Sequence, residues 1–393
     1  MPGPSEHGES LATLGLGAGD VDVIVCSEAG HGGGLRAAAR TAAIYTAAAG
    51  IRPSRVIPVS LDAGPGDDAF IGRYIQTVSA MFPGVLLHFG GFSPDTARTI
   101  VHGYGGYPVF SDELQGIGTA VLAAVYAATR ITGIPVKHQE PLICGTGPDA
   151  AAIAGQLRAA MTADGATDEQ AASQIWLAGP NGLLFDDTAG LRDFQRDHAR
   201  QRSTAPWAAR PGPVPLAEII DRVAPTILLA APVASATFTQ PVIQAMCQAT
   251  ARPLILPISS ATGPAPADIV AWSDGKALVA TGTPAGPARH DASSTIGHAC
   301  TALAYPGLGL GVIVSGAARI TPGMLQAAAA AIADQASTFE PGGPLLPGVQ
   351  DLRACAAAVA EAVVRAAVTD QVASDNPTNL AQAIRGAMWP PAL

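Results

Sequence analysis

Eight short apolar runs, each bounded by turn residues, constrain this chain more than anything else in it: VDVIV (21–25), RVIPVSL (55–61), VLLHF (85–89), PLIC (141–144), QIWLA (174–178), TILLAA (226–231), PLILPI (253–258) and ALVATG (277–282). They are four to seven residues long and mostly apolar on both faces, the pattern of parallel strands covered by helices on either side. Between them lie helix-length segments rich in Ala, Leu and Gln, at 35–50, 114–133 and 148–163. Strand and helix patterns in alternation predict doubly wound α/β domains. From about residue 320 the pattern is helical, at 324–336 and 351–368, whereas STAPWAARPGPVP (203–215) reads as a loop. The chain carries no internal repeat.

A length of 393 residues allows two or three domains. Hydrophobic residues make up 48% of the chain, much of it alanine, and no run reaches the ~18 consecutive apolar residues of a membrane-spanning helix. The first residues, MPGPSEHGES, have neither the basic nor the apolar region of a signal peptide, so residues 1–20 are expected to form a flexible tail. The formal charge of −9 comes from interspersed signs without a basic stripe, which argues against nucleic acid and anionic membrane as partners. Five widely spaced cysteines without a CxxC pair indicate neither a zinc site nor a disulfide framework. Reduced thiols and a cytoplasmic location fit best.

The strongest local motif is Cys144-Gly145-Thr146-Gly147-Pro148-Asp149-Ala150, which follows an apolar strand and opens a helix. In a dinucleotide-binding fold the first glycine makes the tight turn, and the second lets the backbone approach the pyrophosphate. The small third residue lets helix and strand pack closely, and the helix N-terminus offers unpaired N–H groups to the phosphates. Gly145, Thr146, Gly147, Asp149 and Ala150 are therefore the expected cofactor-binding residues, with NAD or NADP as the cofactor class. The next strand, QIWLA, normally ends in an acidic residue that holds the ribose. Here it runs into Gly179-Pro180-Asn181, and Asp186 and Asp187 come too late. The blander alternative is a fold that persists without the cofactor.

A longer set of segments resembles the larger malic enzymes: AGIRPSRVIPVSLDAG (49–64), VFSDELQGIGTAVLAAV (109–125), GTGPDAAAIA (145–154), IWLAGPNGLL (175–184), FTQPVIQAM (238–246), RPLILPISSAT (252–262), ALVATGTPAGP (277–287), YPGLGLGVIVSGAARITPGML (305–325) and PLLPGVQDLRACAAAVAEAV (344–363). The resemblance is collinear over about residues 21–366. It implies a two-lobed α/β architecture with a Rossmann-type doubly wound parallel sheet. The first lobe would comprise 21–111 together with 300–393 and its C-terminal helices, and the NAD(P)-binding-like domain 112–299, with ligands in the cleft between lobes. It also implies oxidation of malate with NAD(P) and a divalent metal, followed by decarboxylation. A homodimer is expected, because the family associates partly through its first lobe.

Measured against that resemblance, polar positions are missing. The family's N-terminal domain, with its tyrosine, has no counterpart, and its lysine falls on Thr41. Two of three metal carboxylates fall on Gly90 and Gly91, and the third on Glu113, beside Asp112. Two adjacent carboxylates alone cannot supply the oxygen ligands of a divalent cation, so no metal is expected. The polar residues left as candidates are few. Asp112 and Glu113 stand at a helix start, where carboxylates favour the macrodipole, as an acid or base or merely as caps. Arg36 and Arg40, four apart on one helix face, are expected to clasp an anionic substrate or to pair with those carboxylates. His88 follows a strand and lies near the lost metal positions. His31 lies among glycines, and Ser260, His298 and Thr301 line the far wall as substrate-binding candidates. The expectation is a malic-enzyme-like protein repurposed to a metal-independent reaction on another small molecule, in specialised metabolism and not on malate. The alternatives are a catalytically inactive homologue that binds a ligand or partner, and a weak NAD(P)-dependent oxidoreductase.

Overall fold

The computed structural model describes residues 15–30, 33–62, 67–208, 212–231, 238–258, 264–282, 296–336 and 344–390. In chain order its strands are β1 (Val23–Glu28), β2 (Val56–Leu61), β3 (Leu86–Gly90), β4 (Val109–Ser111), β5 (Pro141–Cys144), β6 (Trp176–Gly179), β7 (Gly182–Leu183), β8 (Ile227–Ala230), β9 (Leu254–Pro257), β10 (Leu278–Thr281) and β11 (Gly297–His298). Its helices are α1 (Gly34–Ile44), α2 (Asp68–Met81), α3 (Pro94–Gly103), α4 (Ile117–Thr132), α5 (Pro148–Ala163), α6 (Asp168–Gln174), α7 (Asp193–Arg196), α8 (Leu216–Val223), α9 (Gln240–Ala249), α10 (Pro266–Trp272), α11 (Tyr305–Ser315), α12 (Pro322–Asp334), α13 (Leu352–Thr369) and α14 (Leu380–Ala387). Residues 120–300 and 333–348 make up one compact unit, and the remaining described residues the other.

The first unit is built on a four-stranded sheet in the order β2-β1-β3-β4, parallel throughout. After β1 the chain adds β2 on one side and then crosses to add β3 on the other, so the strand order reverses beside β1 and β3. In open α/β sheets the carboxyl ends of strands at such a reversal are where ligands bind. The register pairs Val25 with His88 and His88 with Phe110, which puts His88 in the middle of β3, inside the strand and two residues short of its carboxyl end, with Asp112 directly after β4.

Two wide helical turns interrupt the regular pattern here. The segment 35–50, which reads as one helix, is α1 up to Ile44 and then a π-helical turn, Tyr45–Ala49. A second π-helical turn, Asp112–Gly116, leads into α4. Such turns concentrate at functional positions, and each of these begins with a polar residue of the site described below. Helix α4 with its leading turn (112–132) is long and apolar enough to cross a bilayer, with a mean hydropathy of 1.2. It is nonetheless 72% buried within the protein, which makes it a core helix.

The second unit carries a seven-stranded sheet, β11-β10-β9-β8-β5-β6-β7, parallel except for the antiparallel edge strand β7. All residues of β5, β8, β9 and β10 are buried, as continuous apolar runs require when both faces are covered. The strand order reverses between β5 and β8, and the turn after β5 is the glycine motif. The loop at 203–215 contains two short 3-10 turns, Arg202–Thr204 and Pro206–Ala208.

Candidate active site

In the first unit three polar side chains meet at the carboxyl ends of β3 and β4. His88 is fully buried; its Nδ1 lies 3.0 Å from the Tyr45 hydroxyl and its Nε2 3.1 Å from Asp112 Oδ2. Gly90 makes that approach practicable. A Cβ there would stand 3.1 Å from Asp112 Oδ2 and 3.8 Å from His88 Nε2, so the absent side chain is the space in which carboxylate and imidazole face each other. Asp112 Oδ1 is buried without a hydrogen-bond partner among the described residues. It packs against Gly116 together with the methyl of Thr301, each within 3.1 Å of where a Cβ on Gly116 would be.

Glu113 turns elsewhere. Its Oε1 accepts from the backbone N–H groups of Gly91 and Phe92, the latter at 3.2 Å, and its Oε2 accepts from Ser111 Oγ at 2.9 Å. Burial, and then the neighbouring Asp112 charge, push its carboxyl up to about 7, against the opposing pull of those hydrogen bonds. A carboxyl with a raised folded-state pKa holds a proton that the unfolded chain has already released. Its presence therefore makes stability fall as pH rises from its ordinary 4.5 towards about 7, after which the cost is constant. The Glu113→Gln variant can still accept from both amides. Thermal unfolding measured from pH 4.5 to 8 is expected to show that decline in the wild type and a flatter profile in the variant.

The divalent metal implied by the resemblance does not fit these donors. No group of three or more His, Cys, Asp or Glu side chains gathers among the described residues. Glu113 is held by two amides and a hydroxyl, and Asp112 is turned to His88, whereas Mg2+ and Ca2+ take six or more oxygen ligands. Arg36 and Arg40 lie exposed on α1, and among the described residues neither pairs with Asp112 or Glu113. The expected ion pair is absent because the helix face they share points to solvent. His31 and Ser260 lie outside the described residues.

The second unit holds the dinucleotide turn. Gly145 has φ +147, a conformation costly for any residue with a Cβ, and its N–H donates to the Ala178 carbonyl at 2.7 Å. The Thr146 carbonyl accepts from Gln195 Nε2 at 2.8 Å. Cys144, Gly145, Thr146, Gly147 and Asp149 line a cavity of ≈ 370 Å³ completed by Ala178–Pro180 and by Pro213 and Val214. Ala150 is buried behind it, where a larger residue would separate α5 from β5. These features fit a dinucleotide. The carboxylate that would accept from the ribose is missing, because β6 ends at Gly179. Asp187 lines an adjoining cavity, but its carboxylate is gripped by Arg202 through two hydrogen bonds of 2.7 Å. His298, in β11, donates from Nε2 to the Gly282 carbonyl at 3.3 Å.

Sequence reasoning missed Tyr45, which reads as core. It is core, with no exposed surface, and nothing in the local pattern marks its hydroxyl as the partner of a histidine 43 residues away.

A model of the malic enzyme NAD-binding domain matches residues 114–368. The "Putative malate oxidoreductase [NAD]" of Mycobacterium tuberculosis (strain ATCC 25618 / H37Rv) is 45% identical, covering 99% of this chain and 77% of that protein. The "NAD-dependent malic enzyme 3" of Bacillus subtilis (strain 168) is 36% identical over 94% of this chain and 72% of its own length. Among solved structures, Entamoeba histolytica malic enzyme superposes with a TM-score of 0.73 at 17% identity, covering 98% of this chain and 78% of that one. The malic enzyme of Pyrococcus horikoshii Ot3 gives 0.71 at 16%, covering 99% and 87%. These likenesses in structure bear on the fold alone. The two relatives overturn the expectation of a repurposed or inactive protein, since chains 36–45% identical over nearly all of this one carry the names of NAD-dependent malate enzymes. The physical reason is local. Tallying lost polar positions one by one overlooks that neighbours occupy the vacated space, as Asp112 and His88 do beside Gly90. The fold, the dinucleotide turn and this similarity along almost the whole length place the chain in the malic enzyme family.

Proposed function

We propose that this protein is an NAD-dependent malic enzyme, which oxidises malate at its 2-hydroxyl and releases as CO2 the carboxylate that lies β to the resulting carbonyl. The observation that carries the reading is the 45% identity, over 99% of the chain, to a protein named as an NAD-dependent malate oxidoreductase. NAD, when bound, supplies the hydride acceptor. Within the second unit, the Gly145–Gly147 turn and the N-terminus of α5 hold the pyrophosphate. Within the first, Asp112 Oδ2 is the proton acceptor for the substrate hydroxyl, with His88 at its side. Glu113 fixes the 91–92 backbone beside it. A cytoplasmic homodimer acting on this small molecule completes the proposal.

The test is direct. Purified full-length protein, given L-malate and NAD+ with and without Mn2+, is expected to form NADH at a rate on the order of 10 per second, and NADH fluorescence is expected to saturate on titration. Saturable NADH binding without turnover of malate would remove the substrate from this reading and leave only the cofactor.

A further inference from the structure

Deepening that reading, and resting on it, we propose that Tyr45 and His88 are positioning residues for Asp112: a buried chain from the Tyr45 hydroxyl through His88 that fixes which carboxylate oxygen takes the proton from the substrate. The geometry supplies both links, Tyr45 to Nδ1 at 3.0 Å and Nε2 to Asp112 Oδ2 at 3.1 Å. Its direction follows from the phenol. Burial, then Tyr305 and Asp112, hold the Tyr45 hydroxyl well above its ordinary pKa, so it stays protonated and donates. Nδ1 then accepts, and the ring hydrogen sits on Nε2, facing the carboxylate.

The ring is held edge-on by three aromatic neighbours. Tyr45, Phe110 and Tyr305 stand 5.6, 5.1 and 4.9 Å away between centroids, at 84°, 80° and 74°. Tyr45 in turn lies against α11, where a Cβ on Gly309 would come within 2.6 Å of its ring. The imidazole therefore cannot swing to a different partner. One link is incomplete: Nε2 is at hydrogen-bonding distance from Oδ2 yet lacks an aligned partner among the described residues. Contacts of catalytic groups are often misaligned until substrate binds. A hydroxyl arriving at Oδ2 would turn the carboxylate, and a buried donor already waits on its other side. The two residues touch neither substrate nor cofactor; they decide where the accepting oxygen points.

The experiment uses the full chain labelled with 15N-histidine, with the His88 imidazole signals assigned by their loss in His88→Gln. The expected spectrum has Nε2 protonated and Nδ1 unprotonated, and Tyr45→Phe is expected to shift the Nδ1 resonance. In kinetics, His88→Leu is expected to lower kcat for malate roughly 10- to 100-fold, the scale of one charge-assisted hydrogen bond, with the KM for malate and NADH affinity little changed. His88→Gln, whose amide N–H can still reach Oδ2, should recover part of that loss. A wild-type ring protonated at Nδ1, or an unchanged kcat in a folded His88→Leu protein, overturns the proposal. Failure of the wild type to oxidise malate would strike the proposed function instead, and the tautomer measurement would still decide whether the chain exists.

Discussion

Asp112→Asn is expected to lower malate-dependent NADH formation by about 10²–10⁴-fold, the range that a positioned acid or base contributes. Asparagine keeps the shape of the side chain and an oxygen that can face His88 Nε2, which in the native protein is 3.1 Å from Oδ2. What it cannot do is take a proton. The loss should therefore appear in kcat, while NADH binding and thermal stability stay close to wild type, because the dinucleotide turn lies in another part of the chain. Steady-state assay, NADH titration and thermal unfolding on the same preparation separate these quantities. A kcat within a few-fold of wild type would show that the proton leaves by another route, and Asp112 would then be a capping residue at the start of its helical turn.

Gly309→Val is expected to act on the fold first. A Cβ at this position would fall 2.6 Å from Tyr45 Cε1 and 3.0 Å from Leu86 Cδ2. Both neighbours are fully buried, so neither has a solvent-filled space to move into. Overpacking of this kind typically costs ~1–3 kcal/mol, which for domains of 150–250 residues corresponds to roughly 2–4 °C of Tm per kcal/mol. Valine adds two methyl groups beyond that Cβ and belongs at the upper end. The relief open to the packing is a displaced Tyr45 ring, so variant molecules that do fold should also lose turnover. Calorimetry that finds an unchanged Tm would mean that α11 shifts as a body to accommodate the side chain.

The strands were legible because burial on both faces leaves an unbroken apolar run, and PLIC coincides with β5 residue for residue. Three strands were not legible. β4 has three residues, VFS, followed at once by the acidic pair of the next turn, and β7 and β11 have two each. Runs that short carry no period of their own. For the site, the sequence pointed to His88, Asp112 and Glu113, which the structure brings to one place, but it could not say what each does there. Glu113 reads as a free carboxylate, yet its oxygens are taken up by Ser111 and the amides of Gly91 and Phe92. Arg36 and Arg40 read as a pair because they are four apart; which way that face points depends on what α1 packs against, and the helix's own sequence does not name that neighbour. Tyr45 was illegible as a site residue for a different reason. Its role depends on a partner in β3, and the packing of a helical turn against a strand 43 residues away is not written in either local segment.

The two π-helical turns carry a consequence for how this protein tolerates genetic change. Each packs an extra residue into a single turn of helix, and one residue amounts to about 100° of rotation in an α-helix. In the segment that opens with Asp112, the extra residue lets the acidic pair face one way while α4, buried on nearly every side, keeps its own phase. Loss of any one codon from 113–116 would let the turn close as ordinary α-helix. The core helix would stay in register, and the carboxylate would be carried round the axis, away from His88. The reading frame would survive and so would the fold, with the chemistry mis-aimed. Along this stretch, chain length is a more exposed target than side-chain identity, and a survey of substitutions alone would not find it.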